Sequence, residues 1–367
     1  MAVKDIPMSR LLKLSHEFNC FYLKALKSTI WGSSLCKSVH PQVLASKDTS
    51  KSITDRPLYF RSLEGLRQGD CKPLVVCGAQ VGLVRPDVAA QLLGYPEVFH
   101  VHPDAIRLNP AFRDFDERSA RVEEVLTDCR RRGVFVTLKG WRDECYAVRT
   151  VFSGEPLLKM DRCATCLFGI CNYGVDINGY VNDPEKGLCI WLQKRSKTKQ
   201  TWPGRWDNMV GGGLSVGYGV LETAYKEAEE EASITSDMMK NLRRCGCVSF
   251  FYESERGLFP NTEFVFDLEL PLDFVPKNND GEVDKFELLP AKEALERVLS
   301  PDFKTSSCPV VIDFLIRHGH INPDTEPAYP EIVELLHVPL QSMYKGFQNG
   351  TTVTSNNEID GINNKLL

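Results

Sequence analysis

The sequence predicts an α+β protein: a small α/β domain over residues 55–150, followed by an α/β sandwich around a mixed sheet over residues 165–320. Three observations carry this. The chain has 367 residues, enough for two domains with real cores. Between residues 55 and 150, strand-like apolar runs alternate with helix signals. Between 165 and 320 the strand-like runs dominate, and one helix near the middle carries the chemistry.

Residues 1–50 form a separate extension. From Met8 to Lys47, Arg10, Lys13, Lys24, Lys27, Lys37 and Lys47 face a single acid, Glu17, and serines are frequent. Leu11, Leu12, Phe18, Tyr22, Leu23 and Leu26 can share one face of a helix. Such a segment suits a mitochondrial transit peptide, and equally a disordered or loosely docked extension. The compartment is therefore cytoplasmic or mitochondrial.

In the small domain, residues 73–77 and 81–84 read as strands around a turn at Gly78. Arg85-Pro86 opens a helix through Leu93, and residues 98–101 make a further strand. Asp114 and Glu117 form a capping box, and Gly133 closes the helix that they start. Residues 134–138 read as a strand, and Trp141-Arg142 precedes another at 146–148. No catalytic constellation is visible here. His100 and His102 read as strand positions, and Trp141 as core.

In the second domain, residues 173–181 and 188–193 alternate as strands across turn chemistry at 182–187. A basic loop, 194–204, carries Lys197, Lys199 and Trp202. Residues 206–210 lead into a glycine turn, Gly211-Gly212-Gly213, and then into an acidic helix. Ser236 or Asp237 caps a second helix to Arg244. Strands follow at 248–252, 263–270 and 282–288, then helices at 291–299 and 309–318. The C-terminal tail, residues 321–367, holds a helix at 330–336 and ends in a stretch from residue 351 whose composition predicts disorder.

Composition narrows the function classes. A net charge of −5 argues against nucleic-acid binding driven by bulk electrostatics. No apolar run is long enough to span a bilayer, so no membrane role is expected. The 13 cysteines are scattered and no secretory signal is evident, which points to reduced thiols in an intracellular compartment. Cys163, Cys166 and Cys171, with Cys245 and Cys247, lack the ligand pairs of a usual zinc site and read as small buried hydrophobes.

The acidic helix carries Glu227, Glu230 and Glu231 at i, i+3, i+4 spacing, hence on one face. Leu221, Ala224, Tyr225, Ala228 and Ala232 fall on an adjacent arc that would dock on a core. Clustered carboxylates beside a buried face suit a hard divalent cation such as Mg2+, which takes few protein carboxylates and shares its sphere with phosphates. A plain solvated acidic face is the competing reading.

The spacing of Gly212, Lys226-Glu227-Ala228, Glu230-Glu231 and Ser233-Ile234 resembles the Nudix box, G-x5-E-x7-R-E-U-x-E-E-x-G-U. Tyr218 stands at the box's first Glu, Lys226 at its Arg, Ala228 at its bulky aliphatic and Ser233 at its second Gly. Glu222 lies one turn on and is expected to pair with Lys226. The resemblance covers the second domain. It implies a Nudix α/β/α sandwich with a mixed sheet and makes Glu227, Glu230 and Glu231 the metal-binding and catalytic residues.

A narrower likeness extends through Leu167-Phe-Gly-Ile170, Arg195-Ser-Lys-Thr-Lys-Gln-Thr-Trp-Pro-Gly204, Asp207-Asn-Met-Val210, Arg256-Gly-Leu-Phe-Pro260 and Asp267-Leu-Glu-Leu-Pro271. These are similar to the Nudix branch that is fused to thiamine pyrophosphokinase or stands alone, and that also has an N-terminal α/β domain. It implies hydrolysis of thiamine diphosphate and its oxidised analogues to the monophosphate, with Mg2+ or alternatively Mn2+. Gly211, Gly212 and Gly213 would let the backbone approach the phosphates. Lys197, Lys199 and Arg256 are expected at the phosphate oxygens, Arg256 through its planar fork. Trp202 and Trp206, with Phe251, Tyr252 and Phe259, offer aromatic faces for a flat ring and a cationic thiazolium. Those faces would stack a nucleobase equally well, so hydrolysis of ADP-ribose or NADH stays open, as does a non-catalytic diphosphate-binding module. Glu263 and Glu282 are further metal-ligand candidates. The expected partner is a small-molecule diphosphate, and the sequence leaves the oligomeric state open.

Overall fold

The structure, a computed structural model, describes residues 71–344, 347–348 and 351–352. The basic extension of residues 1–50 and the polar end from residue 353 lie outside the described residues. Among the described residues, no helix is long and apolar enough to cross a membrane.

The first domain opens with β1 (Lys72–Val76) and β2 (Ala79–Val84), paired antiparallel around Gly78 at φ +80°. Helix α1 (Pro86–Leu92) follows, with Pro86 at its first turn, where the missing N–H costs nothing. Strands β3 (Phe99–Val101) and β4 (Ile106–Leu108) complete the core of the sheet, β4 running parallel to β1. Helix α2 (Phe115–Arg131) starts at Asp114, whose side chain accepts the Glu117 N–H at 2.9 Å. The Glu117 carboxylate reaches Arg113 N–H at 2.9 Å, one residue earlier than a reciprocal capping box requires.

The strand expected at residues 134–138 is instead a 3-10 turn, Val136–Gly140. Tertiary ties override the β-branched composition: Val134 N–H returns to Cys129 O at 3.1 Å, and the Thr137 hydroxyl donates to Cys163 O at 2.7 Å. A separate ribbon, β5 (Cys145–Val148) and β6 (Leu158–Asp161), then leads to the domain junction. There Phe168 O accepts the Leu83 N–H at 2.8 Å.

The second domain is built on β7 (Asn172–Asp183) and β8 (Gly187–Arg195). Short strands β9 (Trp206–Asn208) and β10 (Val210–Gly213) pair with β8 and β7. Helix α3 (Val220–Ala232) follows, then β11 (Arg243–Ser254), β12 (Gly257–Glu269) and β13 (Val283–Pro290). The sheet runs β11-β12-β7-β8-β13 and is mixed, since β12 lies parallel to β7 while the other pairs are antiparallel. Helices α4 (Ala291–Val298), α5 (Cys308–Arg317), α6 (Tyr329–Leu335) and α7 (Leu340–Met343) follow. Strands β14 (Phe347–Gln348) and β15 (Thr351–Thr352) add to the edge of the first sheet beside β2.

Side-chain alternation makes the sandwich. Val175, Ile177, Trp191 and Phe266 face α3 and pack on Ala224, Ala228 and Ala232. Tyr180, Ile190, Leu192 and Val265 face the other way, onto α4, α5 and α6. The result is the expected α/β/α sandwich with a mixed sheet, preceded by an α/β region. The docking arc of α3 is narrower than its sequence implies: Leu221 and Tyr225 are exposed.

Two further elements differ from expectation. The second helix expected up to Arg244 is only a 3-10 turn, Met238–Asn241, because β11 already captures Arg243 opposite Asp267. Cys163 and Cys166 are buried, but Cys245 is half-buried and Cys247 exposed on β11.

Candidate active site

The glycine run is a strand, not a turn. Gly211, Gly212 and Gly213 pair with Asp176, Val175 and Gly174 of β7. The reason for glycine is the space its neighbours occupy. A Cβ on Gly212 would meet the Glu227 side chain, and one on Gly213 the Tyr146 hydroxyl. The turn lies further on, at residues 214–219, and Gly219 N–H is capped by the Glu222 carboxylate at 2.8 Å. Glu222 therefore caps α3 and does not pair with Lys226.

Lys226 instead lies between two glutamates of α3, 2.8 Å from Glu230 and 3.2 Å from Glu227. Although partial burial opposes it, these carboxylates hold the Lys226 ammonium above its ordinary range. Glu231 turns inward. It is buried, and it accepts the Gly211 N–H at 2.9 Å and the Gln193 amide at 3.2 Å. Burial pushes its carboxyl up to about 8. Burial likewise raises Glu227, Glu263 and Asp176, the last also through repulsion from Glu263. Ser233 ends the helix at φ +55°, the left-handed conformation in which the Nudix box has glycine, and donates to Lys277 O at 2.7 Å.

Glu227 and Glu230 open into a cleft of about 740 Å³. Its floor is β7, β10 and β12, which add Asp176 and Glu263. The donors are all carboxylate oxygen, and burial and mutual repulsion raise several of them. That chemistry fits a hard divalent cation, which would have to compete with Lys226 for two of the three helix glutamates. Among the described residues, no three such groups converge on a ready-made metal position.

The other site residues separate into two groups. Gly211, Gly212, Gly213, Lys199, Trp202 and Arg256 line the cleft. Lys197 is exposed outside that lining, and Trp206 is buried behind it, with Arg297 over its ring at 4.2 Å. Lys199 pairs with Glu282; burial and the nearby Arg195 guanidinium press it down to about 8. The loop carrying Lys199 and Trp202 is anchored by Arg195, which donates to Thr201 O at 3.0 Å, Trp202 O at 3.2 Å and Asp207 at 2.8 Å. Tyr252 and Phe259 stack at 4.6 Å with 4° between their planes, and both line the cleft.

One wall of the cleft comes from outside the second domain. Arg142, Glu144, Tyr146 and Arg162 all line it. Glu144 accepts from Arg162 at 2.7 Å and from Ser215 at 2.6 Å, tying this wall to the turn before α3. Buried Asp161 accepts the N–H groups of Arg142 and Asp143 at 3.0 and 2.9 Å, and fixes their turn. These residues belong to no local motif and carry no signal in the sequence; only the docking of β5 and β6 on the turn before α3 brings them in.

Comparison with known proteins agrees with this construction. A family model described as NUDIX domain matches residues 172–307, and one described as Domain of unknown function (DUF4743) matches residues 54–172. An uncharacterised protein of Saccharomyces cerevisiae is 33% identical over 301 residues, spanning 77% of this chain and 87% of its own. Two Arabidopsis thaliana proteins, Nudix hydrolase 24, chloroplastic, and Nudix hydrolase 20, chloroplastic, are 35% and 33% identical. Those matches span 75% and 70% of this chain, and 74% and 70% of the relatives. With relatives this similar over most of their length, the chain belongs to the Nudix hydrolase family and is a hydrolase of diphosphate bonds.

Proposed function

We propose that the chain hydrolyses thiamine diphosphate and its oxidised analogues to the monophosphate, with Mg2+ or alternatively Mn2+ at Glu227, Glu230 and Glu231. The observation that carries the reading is one cleft holding both an acidic helix face and a stacked aromatic pair, Tyr252 and Phe259. A divalent cation bound there supplies charge neutralisation and Lewis acidity at the diphosphate. The chain's own groups do the rest. Glu227 and Glu230 present carboxylates to the cleft, while Gln193 and the Gly211 N–H hold Glu231 in place. A carboxylate of this cluster takes the proton from the attacking water, and neighbouring carboxylates share that titration as a set. Guanidinium and ammonium groups on the facing wall bind phosphate oxygens.

The choice of thiamine over a nucleotide rests on the branch-specific likeness. A flat aminopyrimidine suits the aromatic lining at Tyr252 and Phe259, although Arg256 already holds the cation–π place over Phe259; a nucleobase would stack there too, which keeps ADP-ribose and NADH as the second reading. The test is kcat/KM, with Mg2+, for thiamine diphosphate, its oxo- and oxy- analogues, ADP-ribose and NADH. Preference for the analogues supports the reading. Preference for a nucleotide keeps the hydrolase and discards thiamine. We also propose a cytoplasmic or mitochondrial location: cleavage near residues 35–50 in isolated mitochondria would make the N-terminal extension a transit peptide, and an uncut N-terminus found in the cytosol would overturn that reading.

A further inference from the structure

The cleft is rich in cations, and most of them are already neutralised. Arg162 pairs with Glu144 at 2.7 Å. Arg195 and Lys304 share Asp207 at 2.8 and 3.0 Å, and Lys199 pairs with Glu282. Arg142 and Arg256 differ. Both line the cleft half-buried, and among the described residues neither is paired with a carboxylate; Lys159, which also lines the cleft without a carboxylate partner, is exposed.

Each is nevertheless held in place. Arg142 has its N–H on Asp161 at 3.0 Å and its Nε on Gln200 at 2.8 Å, so its two terminal nitrogens stay available. Arg256 reaches Thr137 Oγ1 at 3.4 Å, and its guanidinium lies over Phe259 at 5.4 Å. Thr137 precedes Arg142 on the same stretch, so the two guanidiniums approach from different domains onto one wall. Burial and the like charges of Arg162 and Arg256 hold Arg142 below its ordinary range. Partly buried, unneutralised cations of this kind are costly unless an anion completes them.

We propose, resting on the diphosphate-hydrolase reading above, that Arg142 and Arg256 together bind the terminal phosphate of the substrate. The chain then prefers terminal diphosphates over diphosphates esterified at both ends. A terminal phosphate offers three free oxygens and an extra charge, which two planar forks can grip in bidentate fashion. A phosphate esterified on both sides offers only two free oxygens and less charge.

The first readout needs no metal. Binding of inorganic phosphate to the full chain in chelator, by calorimetry, should weaken roughly 10- to 100-fold in Arg142→Gln and in Arg256→Gln, the loss expected for a charged hydrogen bond. Arg142→Lys keeps the charge but loses the fork and should fall between wild type and Arg142→Gln; it also serves if the Gln variant folds poorly. The second readout is the ratio of kcat/KM for thiamine diphosphate to that for ADP-ribose, which should fall by roughly tenfold or more in both Gln variants. Phosphate binding within about twofold of wild type in the variants, or an unchanged ratio, would overturn the clamp. The two readings fail separately. A wild type that hydrolyses neither substrate ends the functional reading, while phosphate binding still decides the clamp.

Discussion

Glu231 of α3 and Gly211 of β10 are joined by a 2.9 Å hydrogen bond from the Gly211 backbone N–H to the buried carboxylate. This bond fixes α3 on the strand beneath it. It also sets a pH dependence. Burial raises the Glu231 carboxyl from 4.5 to about 8, so between these values the folded chain holds a proton that the unfolded chain has lost. Stability from this group is full below the unfolded value and is lost as pH rises through the folded value. The metal-free melting temperature should therefore fall between about pH 5 and pH 8. Glu231→Gln, neutral throughout, should flatten that slope. An equal slope in the variant would remove Glu231 as its source.

Gly212 is the second point of contact between strand and helix. A Cβ there would press on the Glu227 side chain. Gly212→Ala should displace this carboxylate and lower kcat/KM by about 10- to 100-fold, the range of supporting residues at metal sites. Overpacking should cost about 1–3 kcal/mol in urea unfolding. A variant with normal activity and normal stability would show that the strand can shift to make room.

Much of this arrangement was legible in the sequence. The i, i+3, i+4 glutamates, the alanine stripe Ala224-Ala228-Ala232 and the alternating strands of the second domain are local patterns, and each forms as its period implies. Elements decided by tertiary contact were not legible. The glycine run is a strand because it pairs with β7, and it is glycine because Glu227 and Tyr146 occupy the space where side chains would be. Residues 136–140 turned into a 3-10 segment because Thr137 is tied to Cys163. Trp206, grouped with Trp202 by its neighbourhood in sequence, points into the core beneath Arg297. Arg142, Glu144 and Arg162 carry no motif at all, and it is the junction with β5 and β6 that brings them to the cleft.

The wall from that junction makes its own prediction. Glu144 bridges Arg162 and Ser215, and so links the first half of the chain to the turn preceding α3. Glu144→Ala should cost about 1–3 kcal/mol of stability by leaving Arg162 without its charged partner. It should also lower kcat/KM by about tenfold through a looser approach to the helix. Parallel urea unfolding and steady-state kinetics check both. Lost stability with unchanged kinetics would assign Glu144 to the scaffold alone.

The most direct test of the account is a Mg2+ titration of thiamine diphosphate turnover by wild type, Glu230→Gln and Glu231→Gln. Saturable dependence on Mg2+ is expected for wild type, with kcat/KM reduced more than about 100-fold in each variant, beyond the losses typical of outer-shell partners. Turnover that persists in chelator, or that survives both substitutions, would contradict the assignment of the α3 carboxylates as the metal-binding face.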